Sequence, residues 1–320
     1  MTGVLVVVGL AALLGAGAVA GPRALTRLAP TLTRRPRAGI AAWTGGVTVW
    51  VLGLLALGPL LGWLATGPAL PGTAGAVCRR CLAATNPFGM PAMSVSLPPA
   101  APILGAALLG TGLLGALALA AVRLRREGTT HVALLSATAE RGVVRGTPVW
   151  LLPSGEPTAY TLPRAGVVLS RGTVEALDDE QLGAVLAHEG AHLRGRHHLV
   201  LGMLRGLRSV LGVVPLVRAA PQAVAAYAEM AADDAALRSH DRRALAGALL
   251  ALHRPGPAPV GAALHAGTSH VHSRIGRLAA AATPPSRLAT AAVAGYLSTV
   301  TAAVLLVLGP YATVLVQGAC

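Results

Sequence analysis

Hydrophobic residues form four long runs along this 320-residue chain, and most charged residues lie between the third run and the fourth. Each run has about 20 residues or more, the length at which a helix crosses the hydrocarbon core of a bilayer. Tryptophans near the ends of the second run, and tyrosines towards the ends of the fourth, are typical of membrane interfaces. The runs lie at about residues 3–21, 41–66, 102–122 and 288–316.

This pattern predicts a mainly α-helical integral membrane protein in which a polar domain precedes the last span. We expect three transmembrane helices in residues 1–126, a catalytic domain in residues 127–287, and a fourth span with a short external tail in residues 288–320. A polar stretch of about 160 residues is enough for one compact core.

The titratable groups are confined to the predicted polar domain. All twelve acidic residues lie between Glu127 and Asp241, and all ten histidines lie between His131 and His272. We therefore expect the chemistry of the protein there. The chain shows no Walker loop, dinucleotide-binding fingerprint or serine nucleophile elbow.

The 26 basic residues are all arginines, and they give the chain a formal net charge of +14. Such a charge is compatible with nucleic-acid binding. The arginines cluster at the ends of apolar runs, however, where they act as topology signals. We therefore expect a lipid bilayer as the partner and no direct nucleic-acid binding.

Arginine-rich segments at residues 23–37 and 123–126 follow the first and third predicted spans, so both lie on the same side of the membrane. They contain more arginines than the loop after the second span, on the opposite side, which has Arg79 and Arg80. By the positive-inside rule, residues 127–287 are predicted to be cytoplasmic in a multi-pass protein of the cell membrane. A further apolar run at residues 199–217 contains Arg205 and Arg208. It predicts an amphipathic helix that lies against the membrane or in the domain core.

The sequence His188-Glu189-Gly190-Ala191-His192 predicts a zinc site. Residues four apart share one face of a helix, so both histidines can reach one ion, and Glu189 lies beside the metal where it can take a proton from water. Asp178 supplies a helix N-cap, and an apolar stripe follows. We predict one capped amphipathic helix from Asp178 to His198, too polar to lie within lipid.

A second acidic motif begins at Glu229, in a segment that is helical by composition. We predict Glu229 as the third zinc ligand and Asp233, one turn later, as the acceptor of a hydrogen bond from a ligand histidine. His197 and His198 are alternative third ligands. On a helix that continued past His192 they would point away from the metal, which favours polar surface or interface positions for both.

The run from Leu186 to His197 is similar to the BlaR/MecR-type membrane zinc peptidases. The upstream run from Pro148 to Gly172, and the order of three spans, a protease domain and a fourth span, also resemble that family. The resemblance implies a gluzincin-type α+β domain with one zinc ion per chain, held by His188, His192 and Glu229. It implies that Glu189 is the general base. It also implies that strands near residues 148–152 and 165–170 form an edge for an extended substrate peptide.

The same motifs are shared, at a greater distance, with the HtpX and CAAX prenyl protease group. The run Ser269 to Leu278 resembles a His/Arg element of that group. This similarity implies that His270, His272 or Arg274 contacts the substrate or stabilises an oxyanion; the alternative is that these are juxtamembrane polar residues.

By analogy with the family, we expect regulated cleavage of a cytosolic protein such as a transcriptional repressor. Two alternatives stay open: an HtpX-like protease for membrane-protein quality control, and a non-catalytic signalling protein with a structural zinc. Because few residues follow the fourth span, no external sensor domain is expected. The three cysteines, Cys78, Cys81 and Cys320, are predicted to face the oxidising side, where a disulfide can form.

Overall fold

The apolar runs lie on four long helices, and a small sheet with several shorter helices lies between the third and fourth of them. The computed structural model describes residues 2–64, 72, 98, 100–252, 274–277 and 287–316. In chain order its elements are α1 (Thr2–Arg27), α2 (Ala29–Leu32), α3 (Pro36–Leu64), α4 (Ala100–Thr138), β1 (Glu140–Val144), β2 (Thr147–Leu152), β3 (Ala159–Leu162), β4 (Gly166–Ser170), α5 (Arg171–Ala176), α6 (Asp179–Arg194), α7 (His197–Leu211), α8 (Pro215–Ala236), α9 (Arg242–Leu252) and α10 (Arg287–Val316).

Three of the described helical stretches are long and apolar enough to cross a membrane: Val7–Arg27 in α1, α3 and α4. On α4 the side chains of Leu104, Leu108 and Leu114 are each more than half exposed, as expected for helices whose outer surface meets lipid. In α10 the described side chains give a shorter apolar stretch, Val293–Leu306. The structure therefore supports a membrane protein, while four spans remain a prediction.

The apolar helices share one hydrophobic core that extends into the polar half of the molecule. Trp43, Val47 and Trp50 of α3 are almost fully buried in it, and the indole nitrogen of Trp50 donates a hydrogen bond of 2.8 Å to the carbonyl of Leu14 in α1. Residues of α7 and α8, including Leu201 and Val224, belong to the same cluster. The site-bearing helices are thus anchored directly on the candidate spans.

Helix α7 contains most of the run that was predicted as amphipathic, and it packs along α4. A Cβ added at Gly202 would lie 2.3 Å from a methyl carbon of Leu124, and one at Gly206 would lie 3.0 Å from Cβ of Ala120. Glycines one turn apart therefore allow the two helices to approach closely. Arg205 and Arg208 lie on the exposed side of α7, so neither charge enters the core.

Four strands form one sheet in the order β1-β2-β4-β3. β1 and β2 are antiparallel, β2 and β4 are parallel, and β3 pairs antiparallel with β4. The predicted strands near 148–152 and 165–170 correspond to β2 and β4. Their prediction as an edge was wrong, because they pair with each other in the centre and leave β1 and β3 at the edges.

The sheet lies between the end of α4 and helix α6. On one side, Leu135 of α4 packs with Trp150 and Val168. On the other, Val167 and Leu169 belong to a cluster with residues of α6. Because α4 runs unbroken from the apolar region to the sheet, it crosses the predicted domain boundary at residue 126 without a linker.

Candidate metal centre

Helix α6 carries the two histidines of the motif, and its start is defined by the predicted cap. The Asp178 carboxylate accepts a hydrogen bond of 2.8 Å from the amide of Gln181, whose side chain accepts one of 3.2 Å from the amide of Asp178. This reciprocal capping box satisfies amides that the first helical turn leaves unpaired. Leu182, Val185 and Leu186 then face the sheet, which leaves the histidines on another side of the helix.

Alanines bring α6 and α8 close together at the site. Ala191 of α6 packs against Ala232 and Ala235 of α8, and Ala184 packs against Ala236. Side chains this short permit a small distance between the helix axes. Glu229 on α8 therefore reaches the histidines of α6 although about forty residues separate them in the chain.

His188, His192 and Glu229 present ligand atoms that all lie within 4.8 Å of one another. The Nε2 atoms of the two histidines are 3.2 Å apart. Oε2 of Glu229 lies 3.5 Å from Nε2 of His188, and Oε1 lies 3.4 Å from Nε2 of His192. Two imidazoles and a carboxylate form a set of ligands that zinc commonly takes in catalytic sites.

These distances fit a zinc ion. Zinc bonds to nitrogen or oxygen are about 2.0–2.1 Å long, and tetrahedral angles between them separate the ligand atoms by about 3.3 Å. The three separations at the site are 3.2, 3.4 and 3.5 Å. The donor set and its spacing thus make a three-residue metal site possible without rearrangement of the backbone.

Behind His188 lies a buried pair formed by Asp233 and Arg274. Oδ1 of Asp233 lies 3.1 Å from Nδ1 of His188, the ring nitrogen that faces away from Glu229. Asp233 is fully buried, and the guanidinium of Arg274 donates to both of its carboxylate oxygens. Arg274 also donates a hydrogen bond of 3.0 Å to Glu229. All three guanidinium nitrogens are therefore engaged with the carboxylates around the site.

The two histidines differ in their acid–base properties. Burial by itself lowers the pKa of His188, but hydrogen bonds with Asp233 and Glu229 outweigh it and raise the pKa to about 9. For His192, burial outweighs the charge of Glu229 and lowers the pKa to about 4. Burial opposes ionisation of Glu229 too, yet the hydrogen bond from His188 and nearby positive charge hold its pKa well below the usual range.

Glu189, the predicted base, is half-buried beside the cluster. Burial raises the pKa of its carboxyl group, while the charge of His188 and a hydrogen bond from Thr161 on β3 act in the opposite direction. A higher pKa makes a carboxylate a better proton acceptor near neutral pH. Thr161 is buried on the strand that lies beside α6, and nothing in its sequence context had indicated this contact.

His197 was predicted as a polar surface or interface residue that points away from the metal, but it is 7% exposed and contacts His192. Helix α6 ends at Arg194, and Arg196 takes the left-handed conformation with φ 48° before α7 begins. This break replaces the single predicted helix and turns the imidazole of His197 back towards the site. Its Nδ1 lies 3.0 Å from Nδ1 of His192. His198 is half-buried, with a pKa lowered by burial.

Of the downstream element with two histidines and an arginine, the structure describes only the arginine and the helical turn that begins there, residues 274–277. Arg277 in this turn donates a hydrogen bond of 2.8 Å to Asp234 and one of 3.1 Å to the carbonyl of Met230. His270 and His272 lie outside the described residues, as do the three cysteines.

The central region resembles known peptidases. Residues 133–260, less than half of the chain, match the family model described as Peptidase family M48. The matched region includes both motif helices, α6 and α8. It supports a metallopeptidase domain, and metal dependence of that family agrees with the cluster of His188, His192 and Glu229.

Two curated relatives described as "Protease HtpX homolog" match part of the chain. The relative from Aquifex aeolicus is 32% identical over 83 residues, which are 25% of this chain and 28% of the relative. The relative from Halobacterium salinarum is 36% identical over 63 residues, which are 19% of this chain and 22% of the relative. The chain thus spans about a quarter of the length of each relative.

No solved structure matches the chain. Together, the family match and the relatives support the M48 family broadly and agree with the more distant of the two resemblances in the sequence. The BlaR/MecR-type subfamily remains a prediction.

Proposed function

We propose that this protein is a membrane-bound, zinc-dependent endopeptidase. The observation that carries the proposal is the convergence of His188, His192 and Glu229 beside Glu189, in a region similar to Peptidase family M48. The sequence motif alone supplies two histidines. The fold adds a carboxylate at ligand distance from both of them.

His188, His192 and Glu229 would hold the metal. Bound there, zinc would act as a Lewis acid towards the scissile carbonyl and lower the pKa of water towards about 7. Glu189 accepts a proton from the attacking water as its oxygen bonds to the carbonyl carbon. Glu189 then returns that proton to the amine as the C–N bond breaks, so a water molecule is consumed for each peptide bond.

The edge strand β3 offers a surface for the substrate. It pairs with β4 on one side, and no strand among the described residues pairs with its other side, where we propose that an extended peptide binds. Thr161 on β3 contacts Glu189, which brings this edge next to the predicted base. A peptide added to β3 would therefore pass the catalytic centre.

Arg274 acts, in this proposal, on the ligands and not on the substrate. Its nitrogens are engaged with Asp233 and Glu229, and it is 7% exposed. A buried guanidinium that neutralises two carboxylates fixes their positions. This role differs from the substrate or oxyanion contact that the resemblance implied.

The proposed active site faces the cytoplasm, as the arginine-rich segments next to the candidate spans predict. Two substrate classes follow from the two resemblances. The first is a single cytosolic target, such as a transcriptional repressor, in regulated proteolysis. The second is a range of damaged membrane proteins, as in HtpX-like quality control, and the two HtpX homologues favour it.

The decisive experiment replaces the predicted base. Glu189→Gln is expected to retain one zinc per chain and to lose about 10²–10⁴-fold in peptidase activity. Glu180→Gln, on the exposed side of the same helix, is the matched control and should remain active. Metal content by mass spectrometry and cleavage of a casein substrate in detergent provide the two readouts.

Cleavage at the wild-type rate by zinc-loaded Glu189→Gln would refute the base. Stoichiometric zinc without cleavage by the wild type, under all conditions tried, would favour the structural-zinc alternative. A comparison of membrane and cytosolic proteomes between wild type and Glu189→Gln would distinguish one target from many.

A further inference from the structure

We infer that His197 is a positioning residue for the metal centre: it accepts a hydrogen bond from His192 and so holds that ligand in the orientation that binds metal. The inference rests on the proposed function, because it takes His192 as a metal ligand. It adds a residue that the sequence motif does not include.

The two nitrogens of His192 face opposite directions. Nε2 lies 3.2 Å from Nε2 of His188 and 3.4 Å from Oε1 of Glu229, inside the proposed site. Nδ1 lies 3.0 Å from Nδ1 of His197, on the other side of the ring. The planes of the two imidazoles are almost perpendicular, at 88°, with ring centroids 4.9 Å apart. His197 therefore contacts the ligand from behind and is not itself a third ligand.

This contact determines where the protons lie. A histidine that binds metal through Nε2 must have its proton on Nδ1. Nδ1 of His192 then donates, and the atom that receives the hydrogen bond is Nδ1 of His197, whose own proton lies on Nε2. Ligand histidines in metal sites commonly donate their second N–H to a partner that fixes ring orientation and tautomer. Asp233 occupies the equivalent position behind His188.

The chain between the two histidines is built so that the contact can form. Arg196 adopts the left-handed conformation, which interrupts the helical backbone between α6 and α7. Gly195 then leaves space for the ring, since a Cβ at that position would lie 2.4 Å from Nε2 and 2.8 Å from Cδ2 of His197. Gly195 itself has φ −76° and ψ −7°, values that alanine adopts without strain. The closest contact of the added Cβ is with the ring, although the carbonyl oxygen of Ala191 would also lie 3.1 Å away.

The first test separates the hydrogen bond from the volume of the side chain. His197→Leu, measured in the full-length protein in detergent, is expected to lower zinc affinity about 10–100-fold by chelator competition. His197→Asn, whose amide oxygen can occupy the position of Nδ1, should recover most of that loss. His198→Leu, at the adjacent half-buried histidine, is the matched control and should bind zinc as the wild type does.

A second readout is the absorption spectrum of the cobalt-loaded protein, which reports ligand geometry without any turnover. His197→Leu should change the visible d–d bands, and His197→Asn should restore them. Thermal unfolding of the metal-free proteins should give similar Tm values for His197→Leu and His197→Asn, so that the difference in affinity does not reflect global stability.

Gly195→Ala provides an independent route to the same effect. It should weaken zinc binding in the wild type, because the new methyl group displaces the ring of His197. In a His197→Leu background it should add little, since the contact is already lost. An equal loss in both backgrounds would show that Gly195 acts by another route and would count against the inference.

The outcomes distinguish this inference from the proposed function. A wild-type protein without zinc affinity would overturn the proposed function and the inference with it. A wild type that binds zinc, together with His197→Leu that binds equally tightly, would overturn the inference alone. His197→Asn that binds as weakly as His197→Leu would show that an acceptor at Nδ1 is not what His192 requires.

Discussion

His188 and His192 lie one turn apart on the same helix and present the same nitrogen to the proposed metal, yet the protein holds them differently. The partner of His188 is the carboxylate of Asp233, which lies on α8 and is itself bound by Arg274. The partner of His192 is the neutral imidazole of His197, five residues later in the chain. One support is charged and depends on tertiary structure, and the other is uncharged and local.

This contrast explains the opposite shifts of the two histidines. Hydrogen bonds with the carboxylates of Asp233 and Glu229 outweigh burial and raise the pKa of His188 to about 9. His192 has Glu229 but no second carboxylate behind its ring, and burial lowers its pKa to about 4. The two histidines of the motif, which are the proposed metal ligands, therefore differ in protonation state near neutral pH. The following predictions test this difference, from the largest expected effect to the smallest.

Removal of either histidine should cause the largest loss of zinc affinity, because both are proposed ligands. His188→Ala and His192→Ala are each expected to reduce zinc affinity by more than about 100-fold, beyond the 10–100-fold typical of the residues that support a ligand. His240→Ala, at a histidine that lies 3.4 Å from Glu180 on the outer side of α6, is the control. Zinc titration of the detergent-solubilised proteins measures the effect, and wild-type affinity in either variant would exclude that histidine as a ligand.

Loss of Asp233, the charged residue that supports His188, should lower both the free energy of unfolding and the affinity for zinc. Asp233→Asn removes one of the two carboxylates that pair with the buried guanidinium of Arg274 and leaves Glu229 as the other. Breaking a buried pair costs about 3–5 kcal/mol of unfolding free energy. Zinc affinity should fall about 10–100-fold. In the double variant Asp233→Asn/Arg274→Gln, the destabilisation should be smaller than the sum of the two single changes. Strict additivity in chemical denaturation would contradict the coupling.

Zinc binding should become tighter as the pH rises. Between pH 6 and 8 the pH lies below the raised pKa of His188 and above the lowered pKa of His192, so the metal displaces one proton, from His188. Apparent affinity should therefore increase about tenfold per pH unit. The slope should be flatter in Asp233→Asn, which loses the charge that raises the pKa of His188. A slope that is the same in both proteins would show that another group releases the proton.

The smallest effect is expected at Arg277, which lies three residues after Arg274 in the same helical turn. Its partner Asp234 is partly exposed, and such ion pairs contribute about 0–1 kcal/mol. Because Arg277 also donates to the carbonyls of Thr33 and Met230, Arg277→Gln should lower the unfolding free energy by about 1–2 kcal/mol in total. Zinc affinity should remain that of the wild type. A marked loss of affinity would extend the charged support of His188 to this second arginine.

Local chemistry made several elements predictable. The start of α6 follows from two hydrogen bonds within one turn: the carboxylate of Asp178 accepts one from the amide of Gln181, and the side chain of Gln181 accepts one from the amide of Asp178. The end of α6 was not predictable in the same way. Gly195 can continue a helix, and only the contact between His197 and His192 shows why the chain turns there.

The sheet shows a similar limit. The resemblance to the BlaR/MecR-type peptidases implied strands near residues 148–152 and 165–170, which correspond to β2 and β4, and the apolar residues of these runs suit strands that are buried in a sheet. The order of strands depends on which hydrogen bonds form across the sheet, and the runs themselves contain no information about neighbours. The true edge strand, β3, includes Tyr160 and Thr161, and its position next to Glu189 is a consequence of packing on α6.

The sequence by itself determined the apolar runs, the pair of histidines on one helical face and the acidic motif two helices later, since each depends on spacing along a single element. Only the tertiary structure decided that Arg274 lies between Glu229 and Asp233, and that His197 lies behind His192. The first contact joins residues that are distant in the chain, and the second depends on the break at Arg196 between α6 and α7. Spacing within a helix is fixed by its geometry, whereas the distance between helices depends on every side chain that separates them.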